Sequence, residues 1–392
     1  MGRGLRDRSL LIALPTEQRL AYRTELLADV HSVMKNLLRV DAANAGAWNA
    51  EDKQMIFTAI EAHRFDGVVG FDGLNGVVKS LMRSWITTSG DLLLREMEAG
   101  ATPEAGVGVG VASLQHAVAM TAHQQGDYAR STALFRAAHA ARTANLGATA
   151  EETLETLYRL ALSLKKNPDG CTQALEYLQT VARESPVETQ RLRARKMVGE
   201  MHISAGEGDA AVLELRGCLE GLEALVGDQS AALAARNPDC RQLFHCEQLL
   251  GNGLRAIAGG GAETGPIAGG DMGRRGVLLA EAEELQRKAA RNWAALDGAC
   301  HDNTLTAQCD LALTLATAGG GGCAEAVAII EEVARVRTRE QGAGHVKTKR
   351  AAAMLSSFRE MAAFLDIDKA VRKSVSSPAG VQVEAQVPAK PE

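Results

Sequence analysis

Apolar residues recur at helical spacing along most of this chain, in short runs punctuated by glycine. Between Thr304 and Thr317 the positions Leu305, Leu311, Ala312 and Leu315 share one face, and the run ends in Gly319 to Gly322. A second run of Ala326, Val327, Ile330, Val333, Ala334 and Val336 follows and stops near Gly342. Spacing of three and four predicts two amphipathic helices joined by a tight corner. The same pairing is predicted for 148–166 with 171–184, across Asn167-Pro168-Asp169-Gly170. There Pro168 cannot continue a helix and Gly170 can adopt positive φ. Gly126-Asp127 divides 107–125 from 127–146, and Gly206 to Gly208 divides 188–205 from 209–226.

The pairs repeat in register. Gly298-Ala299, His301 and Thr304 are matched by Gly342-Ala343, His345 and Thr348, 44 residues on. Gly147-Ala148 and Thr153-Leu154 match Gly298-Ala299 and Thr304-Leu305 at a separation of 151. Seven residues beyond each Thr stands Leu160, Leu311 or Leu355, followed in the first two by Ala161 and Ala312. A period of this length marks an array of stacked supersecondary units. Ala133, Ala174, Ala326 and either Ala210 or Ala211 fall shortly after a corner, where small side chains let helix axes approach closely. A helix pair this short buries its apolar face only by stacking on the next.

Gly126-Asp127-Tyr128 with Ala133, then Gly147, Thr153-Leu154 and Leu160-Ala161, resembles a tetratricopeptide repeat of the long kinesin-light-chain type. The unit from Ala282-Glu283 through His301, Thr304 and Leu311-Ala312 to Ala326 is the most similar. The resemblance covers about two thirds of the chain. It implies an all-α fold, an α-solenoid of tetratricopeptide-like helix pairs, with first helices lining a concave face that holds a partner peptide. Two departures stand out. Residues 1–100 lack the sustained heptads of a motor light chain, with Pro15 and the glycines of 67–76 interrupting. The family's groove-facing Asn before the Leu-Ala pair is replaced by Arg159, Asp310 and Met354. A repeat protein similar to light chains, and not a motor subunit, is the reading.

The expected organisation is five repeats at 107–147, 148–187, 188–227, 228–298 and 299–342, closed by a helix at 343–366. Residues 1–100 read as helical, over Glu17–Val40, Ala50–His63 and Asp72–Gly100, and serve either as an N-terminal helical cap on the array or as a partner module. The Gly-rich stretch 259–276 is a long, flexible insertion within the fourth repeat, either a tolerated expansion or a recognition loop. Residues 376–392, with Pro378, Pro388 and Pro391, read as a disordered tail.

Composition narrows the function. The 392 residues carry a net charge of −5 with both signs interspersed, which argues against a basic nucleic-acid binder. No apolar run approaches the roughly 20 residues of a membrane span, and Leu10–Leu14 is too short for a secretory core. Seven unpaired-looking cysteines fit reduced thiols, and the expected location is cytoplasmic. Cys240, His245 and Cys246, and the neighbours Cys300 and His301, do not complete a zinc set. His301 and His345 fall at helix starts and are expected to cap or pack. Gly106–Gly110 and 259–276 lack the Lys and hydroxyl residue of a phosphate loop. No catalytic residue, metal or cofactor is expected. Glu281, Glu283, Glu284, Arg287 and Lys288 read as a solvated helix face with i,i+4 pairs.

The candidate peptide-binding residues are Arg159, Arg195, Lys196 and Asp310, on first helices. Arg191, Arg193, Arg195 and Lys196 crowd one such helix, as either a basic groove for an acidic peptide or a plain solvated face. The function expected is a non-catalytic scaffold or adaptor binding a protein or peptide partner, with self-association as a further possibility. The alternative is an enzyme or regulatory protein whose activity lies in residues 1–100.

Overall fold

The computed structural model describes residues 41–46, 49–65, 67–99, 105–227, 237–259 and 272–376. The helix expected over Glu17–Val40, the centre of the Gly-rich insertion and the tail beyond Ser376 lie outside them. Helices dominate: α1 Ala50–Ala62, α2 Gly70–Ala99, α3 Ala105–Gln125, α4 Tyr128–Leu146, α5 Glu151–Leu164, α6 Cys171–Glu184 and α7 Glu188–Ala205. They continue with α8 Gly208–Val226, α9 Pro238–Ala258, α10 Met272–Asp297, α11 Asp302–Ala318, α12 Gly322–Gln341 and α13 Val346–Ser376. The closing helix α13 therefore runs ten residues beyond its expected end at 366. None of the described helices is long and apolar enough to cross a membrane.

The chain divides into two compact units, Met1–Ala194 and Arg195–Glu392. In the first, α2 packs on α3, α3 on α4, α4 on α5 and α5 on α6. In the second, α8 packs on α9, α9 on α10, α10 on α11, α11 on α12 and α12 on α13. Within these two runs each helix leans on its sequence neighbours. Within each unit this is the packing of an all-α solenoid of tetratricopeptide-like pairs.

A common core register runs through the second helix of every pair. Ser131, Phe135 and Ala138 of α4 are fully buried, as are Ala174, Leu178 and Val181 of α6. Ala211, Leu215 and Cys218 of α8 repeat the spacing, as do Ala282, Gln286 and Ala289 of α10 and Ala326, Ile330 and Val333 of α12. The first position is small because it sits at the crossing with the first helix. The second carries the large side chain. In α4 Ser131 fills the small position, and Ala133, expected there, is exposed.

First helices carry a matching small residue. Ala119, Ala161 and Ala312 are fully buried, each after a buried Val118, Leu160 or Leu311. Gly199 and Gly251 occupy the same place. A Cβ on Gly199 would lie 2.5 Å from Leu215 Cγ, so the large residue of α8 fills the space that a side chain would need. Gly199→Ala is expected to destabilise the protein by about 1–3 kcal/mol, an overpacking cost that outweighs the gain in helix propensity. Urea denaturation checks it, and a neutral result would show that Leu215 shifts freely.

Three of the corners between pairs share one geometry. Gly147, Gly298 and Gly342 stand at φ 94°, 94° and 83°. Each donates its N–H to the carbonyl four residues back, on Thr143, Ala294 and Thr338. Only glycine takes such a conformation without strain. Six residues after Gly298, Thr304 Oγ1 donates to its carbonyl at 2.8 Å, tying the next helix to the corner. His301 Nδ1 accepts from the Asn303 N–H at 3.2 Å and His345 Nδ1 from the Lys347 N–H at 3.3 Å. Both histidines cap the helices that follow the corners.

The N-terminal part departs from the all-helical expectation. Arg64–Phe65 and Val68–Val69 form a short antiparallel ribbon, with Arg64 opposite Val69. Gly67 at φ 87° supplies the tight reversal. The described buried positions of α2 are Gly70, Gly73, Gly90, Leu93 and Leu94. Val118 lies against Gly90 so closely that a Cβ would sit 2.5 Å from its Cγ2.

Candidate functional site

The side chains that first helices do not spend on pair packing form half-exposed polar rows. On α5 these are Glu155 and Arg159, on α9 His245 and Asn252, and on α11 Thr306, Asp310 and Thr317. Spacings of four and seven put each row on one helical face.

In the first unit Glu155 is the hub. Arg159 Nε lies 2.7 Å and Arg193 Nη1 3.6 Å from its carboxylate, and Gln190 Nε2 donates to it at 3.3 Å. Burial alone would push this carboxyl up. The two guanidiniums and their hydrogen bonds outweigh burial and hold it below its ordinary range. Arg193 also lies 4.7 Å over the ring of Tyr158, whose phenol is pushed up by burial. Nearby, His116 Nδ1 meets Thr156 Oγ1 at 3.1 Å, joining α3 to α5.

In the second unit the expected cations are engaged. Arg195 Nε pairs with Glu214 at 2.9 Å and its guanidinium lies flat on Gly217 of α8. Lys196 corrects the expectation of a groove-facing charge: it is only 5% exposed, and its ammonium donates to Gln242 and, at 3.2 Å, to His245 Nδ1. Burial of an ammonium is tolerated because these acceptors replace water.

Asp310 is brought together with residues that the sequence did not single out. Gln248 Nε2 donates to its carboxylate, the Asn252 side chain makes a second hydrogen bond, and Arg255 and Arg350 add positive charge. Burial still wins and raises this carboxyl above its ordinary range. Asn252 is fixed from behind, its Oδ1 accepting from Gln286 Nε2 at 3.0 Å and from Arg255 Nη2 at 3.1 Å. Gln286 stands where the other four pairs place Phe135, Leu178, Leu215 and Ile330, and Gly251 makes room for it. A polar residue at a core position of an otherwise apolar register was the available signal.

The arrangement is built to make directed hydrogen bonds. An amide and a carboxylate held by neighbours offer donors and acceptors at fixed positions without further ordering cost. The potential zinc residues point elsewhere: Cys246 donates to the Leu215 carbonyl at 3.5 Å and meets Cys218, while His245 serves Lys196.

Comparison with known proteins gives no family model and no curated protein that matches. Solved structures do match. A kinesin-light-chain protein of nearly identical TPR-like repeats from Podosopora anserina is 18% identical, covering 58% of this chain and 94% of its own, at TM-score 0.42. BtubC from P. vanneervenii is 12% identical over 79% of this chain and 99% of its own, at 0.34. A Rap protein complexed with competence and sporulation factor is 14% identical over 88% and 90%, at 0.42. At these scores the repeat architecture rests on this chain's own corners and core register.

Proposed function

We propose that this chain is a non-catalytic scaffold for protein–protein interaction, holding a peptide or partner domain on the polar faces of its first helices. The observation that carries the reading is Asn252, locked by Gln286 and Arg255 and set beside Asp310 on a half-exposed face. A buried polar support under a surface amide costs core stability, and pre-organisation for a ligand accounts for it. Asp310 and Asn252 in one unit, and Arg159 in the other, are the contact residues of this reading. Acidity of the partner has little support, because Arg159 and Arg195 are neutralised by Glu155 and Glu214 and Lys196 is buried. The apolar buried positions of α2 support a capping role for 50–99 on the first pair.

Panning a random-peptide library on the full chain tests the reading. A recurring motif is expected, with affinity reduced about tenfold or more by Asn252→Ala, the loss of a pre-positioned hydrogen-bonding group. Arg335→Gln, on the exposed side of α12, is expected to leave it unchanged. Failure to enrich any motif, or a motif indifferent to Asn252, overturns the reading.

A further inference from the structure

The corner that opens α4 and the corner that closes α5 enclose a cleft of about 560 Å³ in the first unit. That volume lies within the usual range for a small-molecule site. Its wall carries Tyr128, Thr132 and Arg136 from α4, and Ser163, Lys166 and Asn167 from the end of α5 and the turn beyond.

Donors dominate this wall. Among the described residues, the Tyr128 and Thr132 hydroxyls and the Lys166 ammonium have no hydrogen-bond or ion-pair partner. Arg136 gives one nitrogen to Gln173 Oε1 at 3.0 Å and makes no ion pair among the described residues, which leaves its other N–H groups. The floor is closed by Ser163, whose hydroxyl meets His123 Nδ1 and Ser131 Oγ, each at 2.8 Å. One carboxylate lines the cleft, that of Asp127, and it accepts the Arg130 N–H at 3.1 Å as the cap of α4. Beside the floor, burial first, then Lys166 and Arg159, hold the His123 pKa below the ordinary value. Two cationic side chains thus face one carboxylate among the described residues of this wall, and the balance of charge favours an anion.

We propose that this cleft binds a phosphate monoester, with Arg136 and Lys166 neutralising the dianion and the Tyr128 and Thr132 hydroxyls donating to its oxygens. Two cations from separate elements match a doubly charged group better than a single carboxylate. Charge-assisted bonds from a guanidinium and an ammonium are the strong contacts for such oxygens. The cleft belongs to the first unit, and the proposal does not depend on the peptide reading.

Titration calorimetry on the full chain tests it with inorganic phosphate, O-phosphoserine, a phosphoserine-containing peptide, and serine as the control without a phosphate. Saturable binding of phosphate and phosphoserine is expected, with none for serine. Arg136→Gln and Lys166→Gln lie on exposed positions, so the fold tolerates both. Each is expected to weaken binding about tenfold or more, the effect of losing one charge-assisted contact. A peptide that binds tighter than free phosphoserine identifies a phosphorylated protein as the source. Equal affinities identify a small phosphorylated molecule, and the proposal holds in both cases. No saturable phosphate binding, or affinity unchanged in both variants, overturns it.

Discussion

Phe135→Ala is expected to cost about 3–5 kcal/mol, the range for removing a fully buried phenylalanine from a packed core. Phe135 has no exposed surface and holds the large position of the second-helix register, its ring centroid 5.2 Å from that of His116 of α3 in an edge-to-face contact. The loss is local in origin and spreads by contact, because in an array each pair is stabilised through its interfaces with the next. Helices α3, α4 and α5 should therefore lose amide-exchange protection together. Urea denaturation followed by circular dichroism gives the magnitude. Ala133→Ser is the control: Ala133 is on the same helix but exposed, and a change within about 0.5 kcal/mol is expected. A cost below about 1 kcal/mol for Phe135→Ala would mean that the register does not mark the core.

The helix pairs were legible because two independent signals agree at several corners. Apolar spacing of three and four sets the faces, and Gly147, Gly298 and Gly342 end helices in a backbone region that other residues avoid. Thr304 and His301 were legible as parts of a repeat, and their roles follow from distance: one binds the corner carbonyl and the other caps the helix. Ser131 was hidden because a polar residue at a small core position looks like surface, which turned attention to Ala133. The ribbon at 64–69 was hidden because two-residue strands leave no alternation to read.

Charge was the least legible property of the site. Arg195 and Lys196 are adjacent in sequence, so a helix must point them in different directions. One lies on α8 at the surface and the other is buried against α9. Sequence alone showed two neighbouring cations. The solvated face read from Glu281, Glu283, Glu284, Arg287 and Lys288 is half right. Arg287 pairs with Glu283 at 2.9 Å and with Glu325 at 2.7 Å, and Arg216 reaches Glu281. Lys288, one residue further round, instead reaches a carboxylate inside the protein. Partners that lie one helix away cannot be read from spacing within a helix.

That carboxylate gives the second large effect. The Glu247 side chain has no solvent exposure and is held by Lys288 Nζ at 2.8 Å and Asn292 Nδ2 at 3.4 Å. Burial pushes its pKa above the ordinary 4.5, against the lowering by Lys288. Between that ordinary value and the raised one, the folded state holds a proton that the unfolded chain releases. This group's contribution therefore falls as pH rises through the window. Lys288→Met removes the main opposing charge, so the window extends upward and the penalty at pH 7 grows. The expected loss at pH 7 is roughly 2–4 kcal/mol, somewhat under that of a fully buried pair, because Lys288 keeps 47% of its exposure. Acidification to about pH 5 should return much of it, since a protonated Glu247 needs no cation. The double variant Lys288→Met with Glu247→Gln should stay near the parent at both values, the neutral amide carrying no charge to compensate. Urea midpoints of parent, single and double variants at pH 5 and pH 7 decide the matter. An equal loss in Lys288→Met at both pH values would assign its effect to packing of the lysine stem and leave Glu247 without a part in it.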